Sequence, residues 1–226
     1  MYKPTMLPMS YRLAIFDFDG TLADSFPFFI SVFNQIADEL GFRRIAAEEA
    51  QQLRHHDTRT IMRHVGMPAW KLPLASRSFI GLMRDNAARI PLFDGIGEVL
   101  HTLDREGVRL AIVSSNSEQN VRLVLGPRLS SLFGHYECGM SMFGKAGRIR
   151  KVVKRAAVPA AHALYVGDQA LDADAARRAG VAFGAVSWGY APIDVLRRVA
   201  PEHEFGSPAE LPGIAGAANL LRTPPA

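Results

Sequence analysis

The segment Tyr11-Arg12-Leu13-Ala14-Ile15-Phe16-Asp17-Phe18-Asp19 is an apolar run that stops at two carboxylates and the turn pair Gly20-Thr21. A short apolar run ended by a glycine turn reads as a buried strand leading into a loop. Residues two apart in an extended segment point to the same side, so Asp17 and Asp19 can face one site. Adjacent carboxylates repel, which raises a pKa unless a cation separates them. The pair therefore suits a hard ion such as Mg²⁺, with one carboxylate left as a nucleophile and the other as acid and base. The plainer alternative is a strand end followed by a solvated Asp-Gly turn.

Beyond this strand the pattern turns helical from Ser25 to about Arg89. Phe29, Val32, Phe33, Ile36 and Leu40 recur at three- and four-residue spacing, with Pro27 near the start and Gly41 at the stop. A further short helix is expected from Thr58 as its cap and another through Phe79, Ile80 and Met83, with no strand in the region. After Pro91-Leu92-Phe93-Asp94-Gly95, helices at 97–106, 118–125, 148–157 and 170–179 alternate with strands at 108–113, near Tyr136, at 163–166 and at 181–186. Such alternation implies an α/β fold, a doubly wound, Rossmann-like parallel sheet covered on both faces. Because the first strand precedes the helical stretch, residues 25–90 read as a small α-helical cap domain inserted into one discontinuous core, 1–24 plus 91–226. From Ala191 one short amphipathic helix is expected, followed by Pro-rich and Ala/Gly-rich turns of no assigned structure.

Of the 226 residues 48% are hydrophobic and 21% charged, which excludes disordered and fibrous classes. The formal net charge of +4 permits an anionic partner, but no basic stripe or tail of the nucleic-acid-binding kind is present. The longest basic cluster, Arg148 to Arg155, is interleaved with Ile149, Val152 and Val153 and reads as an amphipathic helix. A single cysteine, Cys138, can form no internal disulfide and has no zinc-type spacing to join. Leu13 to Phe16 is too short for a signal-peptide core, and no stretch approaches the roughly 20 apolar residues of a membrane span. A cytoplasmic protein without nucleic-acid or membrane partners is expected, as monomer or homodimer.

In an open parallel sheet, ligands bind beyond the carboxyl ends of the strands, where loops and helix N-termini converge. Polar residues just after the apolar strands are therefore candidates. Ser114-Ser115-Asn116 could present a hydroxyl and backbone N–H groups to an oxyanion, or could cap a helix. Lys145 stands just before a predicted helix, whereas Lys151 and Lys154 fall inside it and are less suited to a loop-built site; a solvated lysine is the alternative. Gly167-Asp168, followed by Asp172 and Asp174, offers a second metal ligand in Asp168, with Asp172 supporting it from the next turn. Helix-dipole complementarity accounts for Asp172 and Asp174 but not for Asp168. The stretch lacks the position-six glycine and terminal glutamate of an EF-hand.

Asp17-Phe18-Asp19-Gly20-Thr21-Leu22, then Ser114, Lys145, and Gly167-Asp168 with Asp172, in this order and each after a strand, resemble the four motifs of the haloacid dehalogenase-like hydrolases. A helical insertion directly after the first motif is similar to the cap of the phosphoglycolate phosphatase-like branch. The resemblance implies an aspartyl-phosphate mechanism. Asp17 would be the nucleophile, Asp19 the acid and base, and Ser114 and Lys145 the groups that steady the phosphoryl oxygens. It also implies Mg²⁺ held by Asp17, the backbone carbonyl of Asp19, and Asp168, with Asp172 acting directly or through water. Thr21, Ser115 and Asn116 fall within the substrate-facing motifs.

A dehalogenase needs no acid for a halide and typically lacks the second aspartate, so Asp19 favours phosphoryl transfer on a small phosphorylated metabolite. A mutase would also keep both carboxylates. Residues 25–90 hold nine Lys plus Arg against six Asp plus Glu, which makes Arg54, His55, His56 and Arg59 candidates for an anionic leaving group. Two departures from the branch are visible: Lys145 is followed by Ala-Gly where Pro-x-Pro is usual, and Ser-Ser-Asn stands where Thr-Asn is common. A receiver-like signalling domain phosphorylated on aspartate, or a family member that only binds a partner, are alternatives; receivers are shorter and carry no helical insertion.

Overall fold

The computed structural model describes residues 10–56, 58–139 and 144–216. Its centre is a sheet of six strands, all parallel: β1 (Leu13–Phe16), β2 (Arg109–Ser114), β3 (Phe133–Cys138), β4 (Ala163–Gly167), β5 (Ala182–Val186) and β6 (His203–Phe205). Their order across the sheet is β3-β2-β1-β4-β5-β6, so the chain winds outward in both directions from β1. This is the doubly wound arrangement the alternation predicts.

Strand periodicity explains the two layers. Ala14 and Phe16 point to one face, where Ile96, Leu100 and Leu103 of α5 (Ile96–Arg105) and Val121 and Leu125 of α6 (Glu118–Ser130) pack. Leu13 and Ile15 point to the other, against Ile149 and Val152 of α7 (Lys145–Ala156) and Ala173 and Ala176 of α8 (Ala170–Ala179). Covered on both faces, β1 must be apolar at every position, as Leu-Ala-Ile-Phe is.

Between β1 and α5 lie α1 (Phe26–Leu40), α2 (Ala47–Leu53), α3 (Thr58–His64) and α4 (Leu72–Asp85), with no strand among the described residues there. Pro27 sits in the first turn of α1, and Gly41 ends it in the left-handed region at φ 66°. Phe28, Val32 and Ile36 on one side of α1 join the core beside the sheet, while Phe33 and Ala37 pack with Ile45, Leu53 and Val65 inside the insertion. The chain leaves and re-enters the sheet layer at one place. Ala23 pairs antiparallel with Leu92, the Asp24 N–H donates to Pro91 O at 2.9 Å, and the Phe93 N–H to Leu22 O at 3.0 Å. The expected capping role of Thr58 lies outside the described side chains.

Three expectations need correction. Helix α7 starts at Lys145, not at Arg148, so the lysine opens the helix instead of preceding it. Helix α6 runs on to Ser130 through a kink at Gly126, whose backbone is not helical. The region after Ala191 holds α9 (Ile193–Arg197), then β6, then a 3₁₀ helix over Pro208–Ala215 whose Leu211 and Ile214 complete the core beneath α5. Strand β6 is only three residues long and carries two polar ones, too little periodicity to read. Residues 217–226 lie outside the described residues.

Candidate active site

Strand register brings the motif residues together. Phe16 is level with Ile112 of β2 and with Val166 of β4, so the next residues along each strand emerge side by side at the carboxyl edge. Asp17 and, one residue further along their strands, Ser114 and Asp168 thereby stand at the same edge, all buried. A tight turn follows β1: the carbonyl of Phe18 accepts the N–H groups of Thr21, Leu22 and Ala23, and Gly20 adopts φ +77°. A side chain at Gly20 would run into the Asp168 carboxylate and the Tyr190 ring, a close approach that only glycine permits.

Lys145 reaches across from the start of α7 and pairs with two carboxylates, Asp17 Oδ2 at 2.7 Å and Asp172 Oδ1 at 2.5 Å. Burial alone would lower its pKa, but Asp17 and Asp172 together hold it well above the usual lysine value. Asp17, Asp168 and Asp172 each offer an oxygen, and these atoms lie within 4.8 Å of one another. Burial, and then Asp172 and Asp17, push the Asp168 carboxyl well up. Burial likewise raises Asp172 to about 6, against the opposing pull of Lys145. Asp168 is fixed by the Thr21 hydroxyl at 3.1 Å and the Tyr190 N–H at 2.7 Å, and Asp172 by the Gln169 N–H at 3.0 Å.

The second carboxylate of the first motif stands apart from this trio. Asp19 Oδ2 accepts from Asn116 Nδ2 at 2.8 Å, while the buried Asp19 Oδ1 has no hydrogen-bond partner among the described residues. Burial raises the Asp19 carboxyl to about 6, with the Ser25 hydroxyl and Asn116 opposing the shift. Its carboxylate therefore does not belong to the acidic cluster.

The remaining candidates are placed unevenly. Ser114 Oγ accepts the Asn116 N–H at 3.2 Å, which closes the turn after β2; Ser115 is exposed and borders a cavity beside Asp19 and Asn116. Thr21 is fully buried and its hydroxyl donates to Asp168, so it positions a carboxylate where a substrate contact was expected. Arg54 borders the same cavity, yet its Nε and Nη2 donate to the carbonyls of Tyr190 at 2.8 Å and Gly189 at 2.6 Å. It ties the insertion to the loop after β5. His55 is exposed and off the cavity wall, whereas His56 is on it, because the turn ending α2 directs the two histidines differently. Asp174 pairs with Arg178 one turn on, at the surface. Cys138 offers no competing nucleophile, since burial pushes its thiol up to about 12.

The loop Ser187-Trp188-Gly189-Tyr190 escaped the sequence reading. Trp188 Nε1 donates to Thr21 O at 3.1 Å, Tyr190 Oη shares a hydrogen bond of 2.9 Å with Ser25 Oγ, and Gly189 packs against Asp168. Its signal was present: it follows an apolar strand, as the other motifs do.

Fold and site together define a doubly wound α/β protein with a carboxylate and lysine cluster at the carboxyl edge of its sheet. Residues 14–186 match the haloacid dehalogenase-like hydrolase family, and the chain belongs to it. A phosphoglycolate phosphatase of Synechococcus elongatus is 33% identical over 198 residues, covering 87% of this chain and 93% of the relative. The tyrosine-protein kinase PtkA of Mycobacterium tuberculosis is 31% identical over 197 residues, covering 83% and 66% respectively. A haloacid dehalogenase-like family hydrolase of Streptococcus pneumoniae shares the fold, with TM-score 0.74 at 20% identity over 89% of this chain and 96% of that one. The protein is thus an enzyme, a phosphatase of the phosphoglycolate phosphatase-like kind. No helix among the described residues is long and apolar enough to cross a membrane.

Proposed function

We propose that this chain is a Mg²⁺-dependent phosphomonoesterase of the cytoplasm, acting on a small phosphorylated metabolite through an aspartyl-phosphate. One observation carries the reading: the two carboxylates of a single turn sit in opposite environments. Asp17 is ion-paired with Lys145, while Asp19 is held to about 6 by burial and faces the cavity. Two carboxyls set apart in this way suit a nucleophile and an acid.

In the first step an Asp17 oxygen bonds to phosphorus, the bond from phosphorus to the ester oxygen breaks, and Asp19 donates its proton to the departing alcohol. In the second, Asp19, now a carboxylate, takes a proton from water as that water attacks phosphorus. Asp17 is regenerated and phosphate released. Lys145 offsets charge on the nucleophile and on the phosphoryl oxygens, and the turn at Ser114 offers donors to those oxygens.

The all-oxygen donor set of Asp17, Asp168 and Asp172 suits a hard divalent cation, and burial, followed by the neighbouring carboxylates, raises two of the three carboxyls. When bound, Mg²⁺ would add positive charge where charge develops on the phosphoryl group. Residues 25–90 are assigned as a cap over a core of 1–24 and 91–226. Supporting this, the cavity is walled by insertion residues on one side and by Ser115, Asn116 and Tyr190 on the other.

The test is hydrolysis of p-nitrophenyl phosphate with and without Mg²⁺. Asp17→Asn abolishes turnover without unfolding the protein; full activity in that variant would sink the mechanism. Asp19→Asn lowers kcat/KM for alkyl phosphates by ~10²–10⁴-fold but much less for p-nitrophenyl phosphate, whose leaving group needs no proton, while kcat falls for both because the hydrolytic water has lost its base.

A further inference from the structure

We propose that the alcohol part of the ester this enzyme cleaves is apolar, an alkyl or aryl group seated against Phe26, Phe29, Phe79 and Tyr190; this rests on the phosphatase reading above. The ester oxygen that takes the proton lies at Asp19, and Asp19 marks the polar end of a cavity of about 410 Å³ that continues into the interior of the helical insertion. Whatever is bonded to that oxygen therefore extends into the insertion.

The chamber is lined chiefly by hydrocarbon. Phe26 meets Tyr190 edge-on at 5.1 Å between ring centres, and Phe29 meets Phe79 at 5.5 Å, while all three phenylalanines stay only half-buried because one side of each ring is open. Deeper in, Ile45 and Met67 continue the apolar wall. The basic side chains on the wall, among the described residues, are Arg54 and His56. The Arg54 guanidinium is already bonded to the carbonyls of Gly189 and Tyr190 and to Gln51, and it stacks over Phe26 at 5.0 Å. A leaving group with its own carboxylate or second phosphate would lose its water against rings with little to replace it, which is costly. An apolar group gains there instead. The volume falls within the roughly 300–1,000 Å³ of small-molecule sites and is generous for a two-carbon fragment.

The experiment compares ethyl, butyl and hexyl phosphate with phosphoglycolate and p-nitrophenyl phosphate in the presence of Mg²⁺. The three alcohols are nearly equally acidic, so the chemical step is matched and binding alone differs. The expected result is kcat/KM rising roughly fourfold per methylene from ethyl to hexyl. In Phe79→Ser the hexyl-to-ethyl ratio falls at least severalfold, a ratio that does not depend on how much of the variant is folded. A flat or falling series, with ethyl phosphate or phosphoglycolate still hydrolysed, overturns the inference and leaves the phosphatase reading standing. An unchanged ratio in Phe79→Ser overturns the assignment to these rings. Absence of hydrolysis of every ester overturns both readings.

Discussion

Asn116 joins the second motif to the first: its Nδ2 donates to Asp19 Oδ2 at 2.8 Å and also touches the sulfur of Met83 in α4. One side chain thus links the loop after β2, the turn after β1 and the helical insertion. Its carbonyl oxygen is held in turn by the Ser117 N–H and by Asn120 Nδ2, so the amide cannot rotate away.

That bond favours the ionised form of Asp19, and removing it raises the carboxyl further above about 6. In the proposed mechanism the protonated form is needed to expel an alkyl alcohol. Asn116→Ala therefore moves the alkaline limb of the kcat/KM profile for an alkyl phosphate to higher pH while lowering its height. A pH-rate profile with the limb unmoved would separate Asn116 from Asp19 functionally.

Lys145→Met leaves Asp17 and Asp172 without their shared counter-charge. The expected losses are ~10²–10³-fold in kcat and about 3 kcal/mol of stability at pH 7.5. Lys145 holds the Asp172 carboxyl down to about 6, so without it that carboxyl takes up its proton at higher pH and the stability deficit shrinks as pH falls toward about 6. Urea unfolding at pH 5 and pH 7.5 measures the difference.

The raised carboxyls also govern the wild-type protein. Asp172, at about 6 when folded against an ordinary 3.8, and Asp168, raised as well, bind protons more tightly in the folded state. Their contribution is most favourable below about pH 4 and declines as pH rises through about 6, since the folded state must then carry buried charge. Mg²⁺ occupying the same oxygens reverses the penalty, so millimolar Mg²⁺ raises Tm more at pH 7.5 than at pH 5. Thermal shifts of equal size at both pH values would argue against these carboxylates as the ligands.

Gly189 is the tightest point of the site. A Cβ there would overlap the Asp168 side chain and the carbonyl of Gly20. Gly189→Ala displaces Asp168, and the apparent Mg²⁺ affinity falls by about 10–100-fold, as with other residues that orient metal ligands. Calorimetric titration with Mg²⁺ gives the affinity directly, apart from turnover.

The carboxylate pair, the glycine turn and the alternating pattern were legible because each is local: a strand covered on both faces must be apolar throughout, and a site at strand ends places polar residues directly after it. Asp17, Asp19, Ser114, Asp168 and Asp172 could be named on that basis, together with the helical insertion between the first strand and the rest, whereas Lys145 was chosen for a loop position before a helix that in fact begins at it. Their roles relative to one another were not local. Whether Thr21 faces ligand or Asp168, whether Arg54 is free or tied to Gly189 and Tyr190, and which of His55 and His56 borders the cavity depend on contacts between residues more than a hundred positions apart or on the turn of a short helix. Residue order carries no term for such packing. The apolar chamber above Asp19 belongs to the same class, since Phe29 and Phe79 read along the chain as ordinary positions of a helical apolar pattern, and only the packing of the insertion's helices leaves one side of the Phe26, Phe29 and Phe79 rings open.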